Sequence, residues 1–143
     1  TDLASLAPQL RLGASAAWQA DDVAGLALMQ QVYAPEFADV VTVEEADLAT
    51  AITDAKADCF VMDSLDPLIT ANDLTLMVDD QYMLSANEVI VLMSSTVNSP
   101  EVTSALDTLA GMLTTEKLNQ MLREIVVNGT DIAVVANAFA DNL

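Results

Sequence analysis

The chain has no histidine, a single cysteine, four glycines and only four basic residues, Arg11, Lys56, Lys117 and Arg123, against 22 acidic ones. Each scarcity removes a class of function. Without histidine the commonest general base and the commonest metal ligand are gone. Serine and threonine hydroxyls then have no imidazole to activate them, and no Gly-x-Ser-x-Gly elbow occurs, so no catalytic residue is expected. The four glycines, Gly13, Gly25, Gly111 and Gly129, are scattered and form no phosphate cradle. Cys59 cannot form a disulfide within the chain, and its apolar run Cys59-Phe60-Val61-Met62 predicts a small buried hydrophobe. No Cys-x-x-Cys, His-Glu-x-x-His or Asp-rich calcium loop is present, so neither metal nor other cofactor is expected.

The formal net charge is -18. With no basic stripe to release counterions, nucleic acid is excluded as a partner. The acidity serves solubility, and it also attracts cationic ligands. Adjacent acids such as Asp21-Asp22, Glu44-Glu45 and Asp79-Asp80 diverge on a helix or strand and read as solvated surface. No apolar run reaches the roughly 18 residues that a membrane span needs. The first residues lack the charged and apolar regions of a signal peptide, and with Thr1 in place of an initiator Met the chain is expected to be a mature or excised segment.

Hydrophobic residues make up 53% of the chain and the mean hydropathy is +0.40, so a folded core is expected. Apolar runs alternate with helical stretches, the pattern of an α/β layer structure with parallel strands. Strands are predicted at Leu10–Ala14, Val40–Val43, Cys59–Met62, Leu74–Val78 and Glu88–Met93. Helices are predicted at Asp2–Ala7, Asp21–Tyr33 and from a capping box at Thr42–Glu45 through Lys56. Asp63–Asn72, with Pro67 inside it, reads as turn-rich. From Ser99, an N-cap with Pro100 behind it, three helices follow at Glu101–Met112, Thr115–Val127 and Asp131–Asn142, with Gly129 as a stop and Thr130 as a cap. Trp18 is expected in a loop at a strand's carboxyl end, where open α/β sheets hold ligands; its ring either stacks on a cation or packs as a lid.

One long series of residues carries a resemblance. Thr1-Asp2-Leu3-Ala4, Leu12-Gly13-Ala14, Gly25-Leu26, Tyr33, Leu48, Ala51-Ile52, Ala57-Asp58, Asp66, Ile69 and Asp73-Leu74 are followed by Val78-Asp79-Asp80, Asn87 and Leu106 to Thr114. It ends with Met121, Val127, Gly129, Asp131, Val134-Val135-Ala136 and Phe139. In order and spacing this resembles the second half of the substrate-binding proteins of ABC importers for glycine betaine, choline and carnitine. The resemblance implies an α/β, periplasmic-binding-protein-like (type II) fold with one lobe plus the C-terminal part of the other: residues 1–80 the second lobe, residues 81–143 a strand and helices of the first. It implies a non-catalytic solute-binding module with a small cationic or zwitterionic ligand and an ABC permease as partners, at the outer face of the cytoplasmic membrane or in the periplasm.

The family holds a quaternary ammonium in an aromatic cage. Carried over residue by residue, the ligand contacts are Trp18 for stacking, Asp63 for countercharge, Ser64 and Asn87 for hydrogen bonds and Tyr82 for closure. Three positions depart: no basic residue follows Trp18 in Gln19–Asp22, Asp63 stands where an aromatic is usual, and Ala86 where a tyrosine is. The departures imply a cage either degraded or re-purposed from the family's. The resemblance also lacks the N-terminal half of the first lobe, which would leave apolar area bare and predicts a homodimer with exchanged elements. The alternative reading is a self-associating interaction or regulatory domain that keeps the fold without a transport ligand.

Overall fold

The computed structural model describes residues 2–85 and 90–142. The chain forms two compact units, one of Thr1–Asp63 with Leu76–Ala86, the other of Ser64–Thr75 with Asn87–Leu143.

The first unit is a three-stranded parallel sheet in the order β2-β1-β3. Its strands are β1 (Arg11–Ala14), β2 (Asp39–Thr42) and β3 (Cys59–Phe60). β1 is central: Leu12 pairs with Val40 on one side and with Cys59 on the other. The amides of Val43 and Val61 extend the two ladders, bonding Ala14 O at 3.0 Å and Gly13 O at 2.9 Å. Parallel strands require crossovers, and the chain supplies helices for them. α1 (Asp2–Leu6) and a 3-10 turn at Ala7–Gln9 precede β1; α2 (Ala16–Gln19) and α3 (Leu26–Tyr33) link β1 to β2; a 3-10 turn at Glu45–Asp47 and α4 (Leu48–Thr53) link β2 to β3. Because the two crossovers run in opposite directions across the sheet, right-handedness puts α3 and α4 on opposite faces. The core is small and aliphatic: Ala7, Leu12, Ala14, Val43, Leu48, Ala51 and Ala57 are buried, with Pro35 fully enclosed.

Several sequence expectations shift for visible reasons. The helix expected from Asp21 begins only at Leu26, because the Asp21 carboxylate accepts the amides of Val23 (2.7 Å) and Ala24 (3.0 Å) and folds those residues into a turn. The Thr42–Glu45 capping box does not form. The chain is still extended at Val43, and the Thr42 hydroxyl instead accepts Gln19 Nε2 at 3.3 Å. Leu74–Val78 makes no strand, nor does Ile90–Met93, the described part of the expected strand at Glu88–Met93: no described neighbour offers either one a ladder. Glu88 and Val89 lie outside the described residues.

The second unit is helical: α5 (Pro67–Ala71), α6 (Pro100–Met112), α7 (Thr115–Val126) and α8 (Ile132–Ala140). α5 arises inside the stretch read as turn-rich, because Asp66 caps it by accepting the Leu68 amide at 2.8 Å and Pro67 follows at its start. Ser99 caps α6 as expected, and Gly129, at φ 69°, ends the segment after α7. The cap of α8 is Asp131 rather than Thr130, since Asp131 accepts the Ala133 amide at 2.8 Å. α7 packs on α5 and on α8, yet Pro67 is the only buried residue among those described in this unit. Among the described residues no helix is long and apolar enough to cross a membrane.

A salt bridge ties the amino ends of β1 and β3. Arg11 Nε and Nη2 donate to both oxygens of Asp58 at 3.0 Å, Nη2 also reaches Ala55 O, and the backbone amide of Arg11 bonds Asp58 Oδ2 at 2.8 Å. The guanidinium, and then the Arg11 amide, hold the Asp58 carboxyl down at about 2. Both side chains are more than one-third exposed, so solvent and salt screen the pair and its effect is modest. A carboxyl depressed on folding stabilises above its unfolded value of 3.8 and loses that contribution as the pH falls through about 2. Arg11→Ala is thus expected to lower Tm by a few degrees at neutral pH, with the gap to wild type closing as the pH falls through that window. Thermal melts of both proteins across the acid range check this; a gap that persists at the acid end would assign the loss to packing instead.

Candidate functional site

Parallel strands bring their carboxyl ends to one edge, and a ligand crevice forms where the winding direction changes. With the order β2-β1-β3, that switch lies between β1 and β3. Ser15–Gln19 follows β1 there, Val61–Asp63 follows β3, and Glu44 follows β2 just beyond.

Trp18 lies on this edge, but on the one-turn helix α2 rather than in an open loop, and it is half-buried. Three side chains hold α2 in place. Ser15 Oγ accepts the Trp18 amide at 3.2 Å, Glu44 Oε1 accepts the Ala16 amide at 3.1 Å, and Gln19 Nε2 donates to Ala14 O at 2.9 Å. Gly25 completes the support. A Cβ there would stand 2.2 Å from Trp18 O and 2.4 Å from Asp21 O, so only glycine lets the start of α3 pack under the turn that carries the indole. Of these residues only the serine three positions before Trp18 had a sequence signal, as an N-cap; Glu44 acts from the end of β2, Gln19 folds back on Ala14 O, and Gly25 acts through the close approach of two nearby carbonyls.

Charge at the edge is one-sided. Arg11 and Lys56, the basic residues of the first unit, stand at the amino ends of β1 and β3, and Arg11 is paired with Asp58. The carboxyl ends carry Asp63 and Glu44 with no basic residue among them.

Tyr82 belongs to the same unit, in a turn over residues 79–84. Its backbone is left-handed, φ 53°, and its side chain is 87% exposed. Tyr33, the last residue of α3, donates its hydroxyl to Asp79. Burial, and then this bond, push the Tyr33 hydroxyl up to about 12. The amide of Leu84, then the Tyr33 hydroxyl and the Met83 amide, hold Asp79 below the usual carboxylate range.

The sheet thus brings Trp18 and Asp63 to one edge. Ser64 is exposed and opens the second unit, and Asn87 lies outside the described residues. Recesses in the second unit, about 510 Å³ beside the start of α6 and about 260 Å³ between α7 and α8, do not include these residues. The first is an open depression; the second is a groove between two helices. The carboxyl edge of the sheet is the better candidate because topology, an aromatic on a turn held by its backbone and one-sided charge coincide there. Among the described residues no group of three or more acidic or cysteine side chains is placed to hold a metal.

The OpuAC family, the substrate binding domain of ABC-type glycine betaine transport systems, matches residues 1–142. A crystal structure of a glycine betaine/carnitine/choline ABC transporter superposes with a TM-score of 0.81 at 25% identity, over 99% of this chain and 52% of that one. The chain therefore spans about half the length of that relative. No curated protein sequence matches the chain.

Gly25→Ala is expected to force the Trp18–Asp21 turn outward at a cost of about 1–3 kcal/mol. A lowered Tm together with a shifted Trp18 emission maximum checks it. Emission identical to wild type would show that the turn does not depend on this close approach.

Proposed function

The chain belongs to the OpuAC family of substrate-binding domains of ABC-type glycine betaine transport systems, and from that premise we propose that it binds a small quaternary amine at the carboxyl edge of its sheet. The family is one of binding domains, not of enzymes. One observation carries the reading to this edge: Trp18, on a turn whose backbone is held by Ser15, Glu44 and Gln19, shares it with Asp63 and Glu44, while the unit's basic residues stand at the opposite end. A fixed aromatic face attracts a desolvated ammonium, and carboxylates add countercharge. In this reading Trp18 stacks on the ligand, Asp63 faces the cationic head, Ser64 and Asn87 hydrogen-bond it, and Tyr82 closes over it. The domain hands its ligand to an ABC permease outside the cytoplasmic membrane. Residues 1–80 act as the second lobe, and residues 81–143 belong to the first.

A second reading has its own support. Leu76, Met77, Val78, Ile90, Val91 and Leu92 are all more than half exposed, and exposed apolar runs of this kind favour association. In it the chain is a homodimer, with exchanged elements, that serves as an interaction or regulatory domain.

Calorimetry with glycine betaine, choline, carnitine and a polyamine tests the first reading. Trp18→Ala is expected to weaken the quaternary amine that binds by about 10-fold; no heat from any of the four up to millimolar concentration would remove it. For the second reading, light scattering at micromolar concentration is expected to return a dimer. A monomer there would sink it.

A further inference from the structure

The chain exposes 9851 Å² of surface at a mass of 15.1 kDa. Two compact units sharing that mass would expose roughly 8,500 Å² in total even with no contact between them, so about 1,300 Å² per chain is surface that compact folding normally removes. If two copies cover it on each other they bury about 2,600 Å² in all, which lies in the range of permanent dimers and above the roughly 1,600 Å² of a standard interface.

The second unit carries such surface, and α8 is its extreme case. The nine residues of α8 include no charge and one polar side chain, Asn137. A helix that is apolar all round is ordinarily enclosed all round. Here only Val135 and Phe139, in the groove with α7, are half-buried. Ile132 and Val134 are 67% and 59% exposed, and the four alanines of the helix are exposed as well. Val126 and Val127, where α7 ends shortly before α8 begins, are exposed too.

The order of bulk along α8 suits a copy of itself. Ile132, Ala136 and Ala140 follow at four-residue spacing and form one row on the helix surface, branched at the amino end and small at the carboxyl end. In an antiparallel pair with its two-fold axis at Ala136, Ile132 of each copy faces Ala140 of the other, and the small residues let the axes approach to about 8 Å. Asn137 lies about 100° round the helix from this row, at the rim of such a contact. The row is free of charge in a chain of net charge -18, so two acidic copies meet where their repulsion is least.

We propose that α8 is the centre of an antiparallel, two-fold interface between two copies of this chain, widened by the exposed end of α7. The inference rests on the homodimer reading and assigns its surface. Sedimentation of the full chain at micromolar concentration tests it. Ala136→Glu sets two carboxylates against each other at the axis, yet at an exposed position where glutamate is a good helix former. The helical circular dichroism is expected to stay unchanged while the dimer dissociation constant rises at least about 100-fold. Asn137→Glu, one residue on but off the row, is expected to change it by no more than about 3-fold. Raising the salt from about 0.05 to 0.5 M is expected to tighten the wild-type dimer by screening the repulsion between the copies.

A wild-type monomer would overturn both this interface and the homodimer reading. A dimer that Ala136→Glu leaves intact would overturn the interface alone, and a dimer that salt weakens would remove its charge-free centre in favour of ion pairs. If Ala136→Glu loses helix, Ala136→Cys in a Cys59→Ser background decides: mild oxidation is expected to cross-link two copies at residue 136 and not at residue 137 in the matching Asn137→Cys variant, and the absence of a link at 136 sinks the antiparallel pairing.

Discussion

β1 is paired on both of its edges, and the first unit depends on that pairing. A two-sided parallel strand needs a helical crossover to each neighbour, has little room for polar side chains and sends three carboxyl ends to one edge. Those consequences are all visible: Leu12, Gly13 and Ala14 are buried, α3 and α4 make the crossovers, and the segments after the strands converge where the winding reverses. Arg11 and Asp58 lock the opposite edge, which places the unit's one described ion pair away from the candidate ligand.

Placing charge at opposite ends of a short sheet costs little, since the acids at the carboxyl edge stay in contact with solvent. It does shape what can approach. A cation loses less on leaving water when the groups it meets are already oriented, and the bonds from Ser15, Gln19 and Glu44 orient α2 before any ligand arrives. The turn that carries Tyr82 follows the same logic with different parts: backbone amides satisfied by fixed side chains and an aromatic ring left facing solvent. Both aromatics thus sit on backbone held by hydrogen bonds from side chains elsewhere in the chain.

The second unit is built on other terms. Its helices carry clean capping signals at Ser99, Thr114 and Asp131, each accepting an amide two or three residues on. Caps and helix propensity define where such helices start without requiring a deep core. Its side chains are consequently half-buried or exposed almost throughout.

Local chemistry made much of this legible. The parallel α/β class, β1, β2, the start of β3, the three C-terminal helices and the Ser99–Pro100 start followed from apolar runs and caps, and the ordered resemblance over the chain pointed to the family that residues 1–142 match. Leu74–Val78 misled because a run of β-formers is a strand only when another strand offers its amides and carbonyls, and that partner is a property of the fold. Asp21 and Thr42 misled for two different reasons: Asp21 accepts the amides of Val23 and Ala24 in a turn ahead of the helix, and Thr42 meets Gln19, 23 residues away in sequence. For the site, the sequence by itself determined that a tryptophan and an aspartate follow two apolar strands in an acidic chain without histidine. Only the tertiary structure decided that β1 and β3 are neighbours, so that Trp18 and Asp63 share an edge, and that Tyr33 reaches Asp79 from 46 residues away. Hydrogen bonds across such separations leave no periodicity in the sequence, because their partners meet only after the chain has folded.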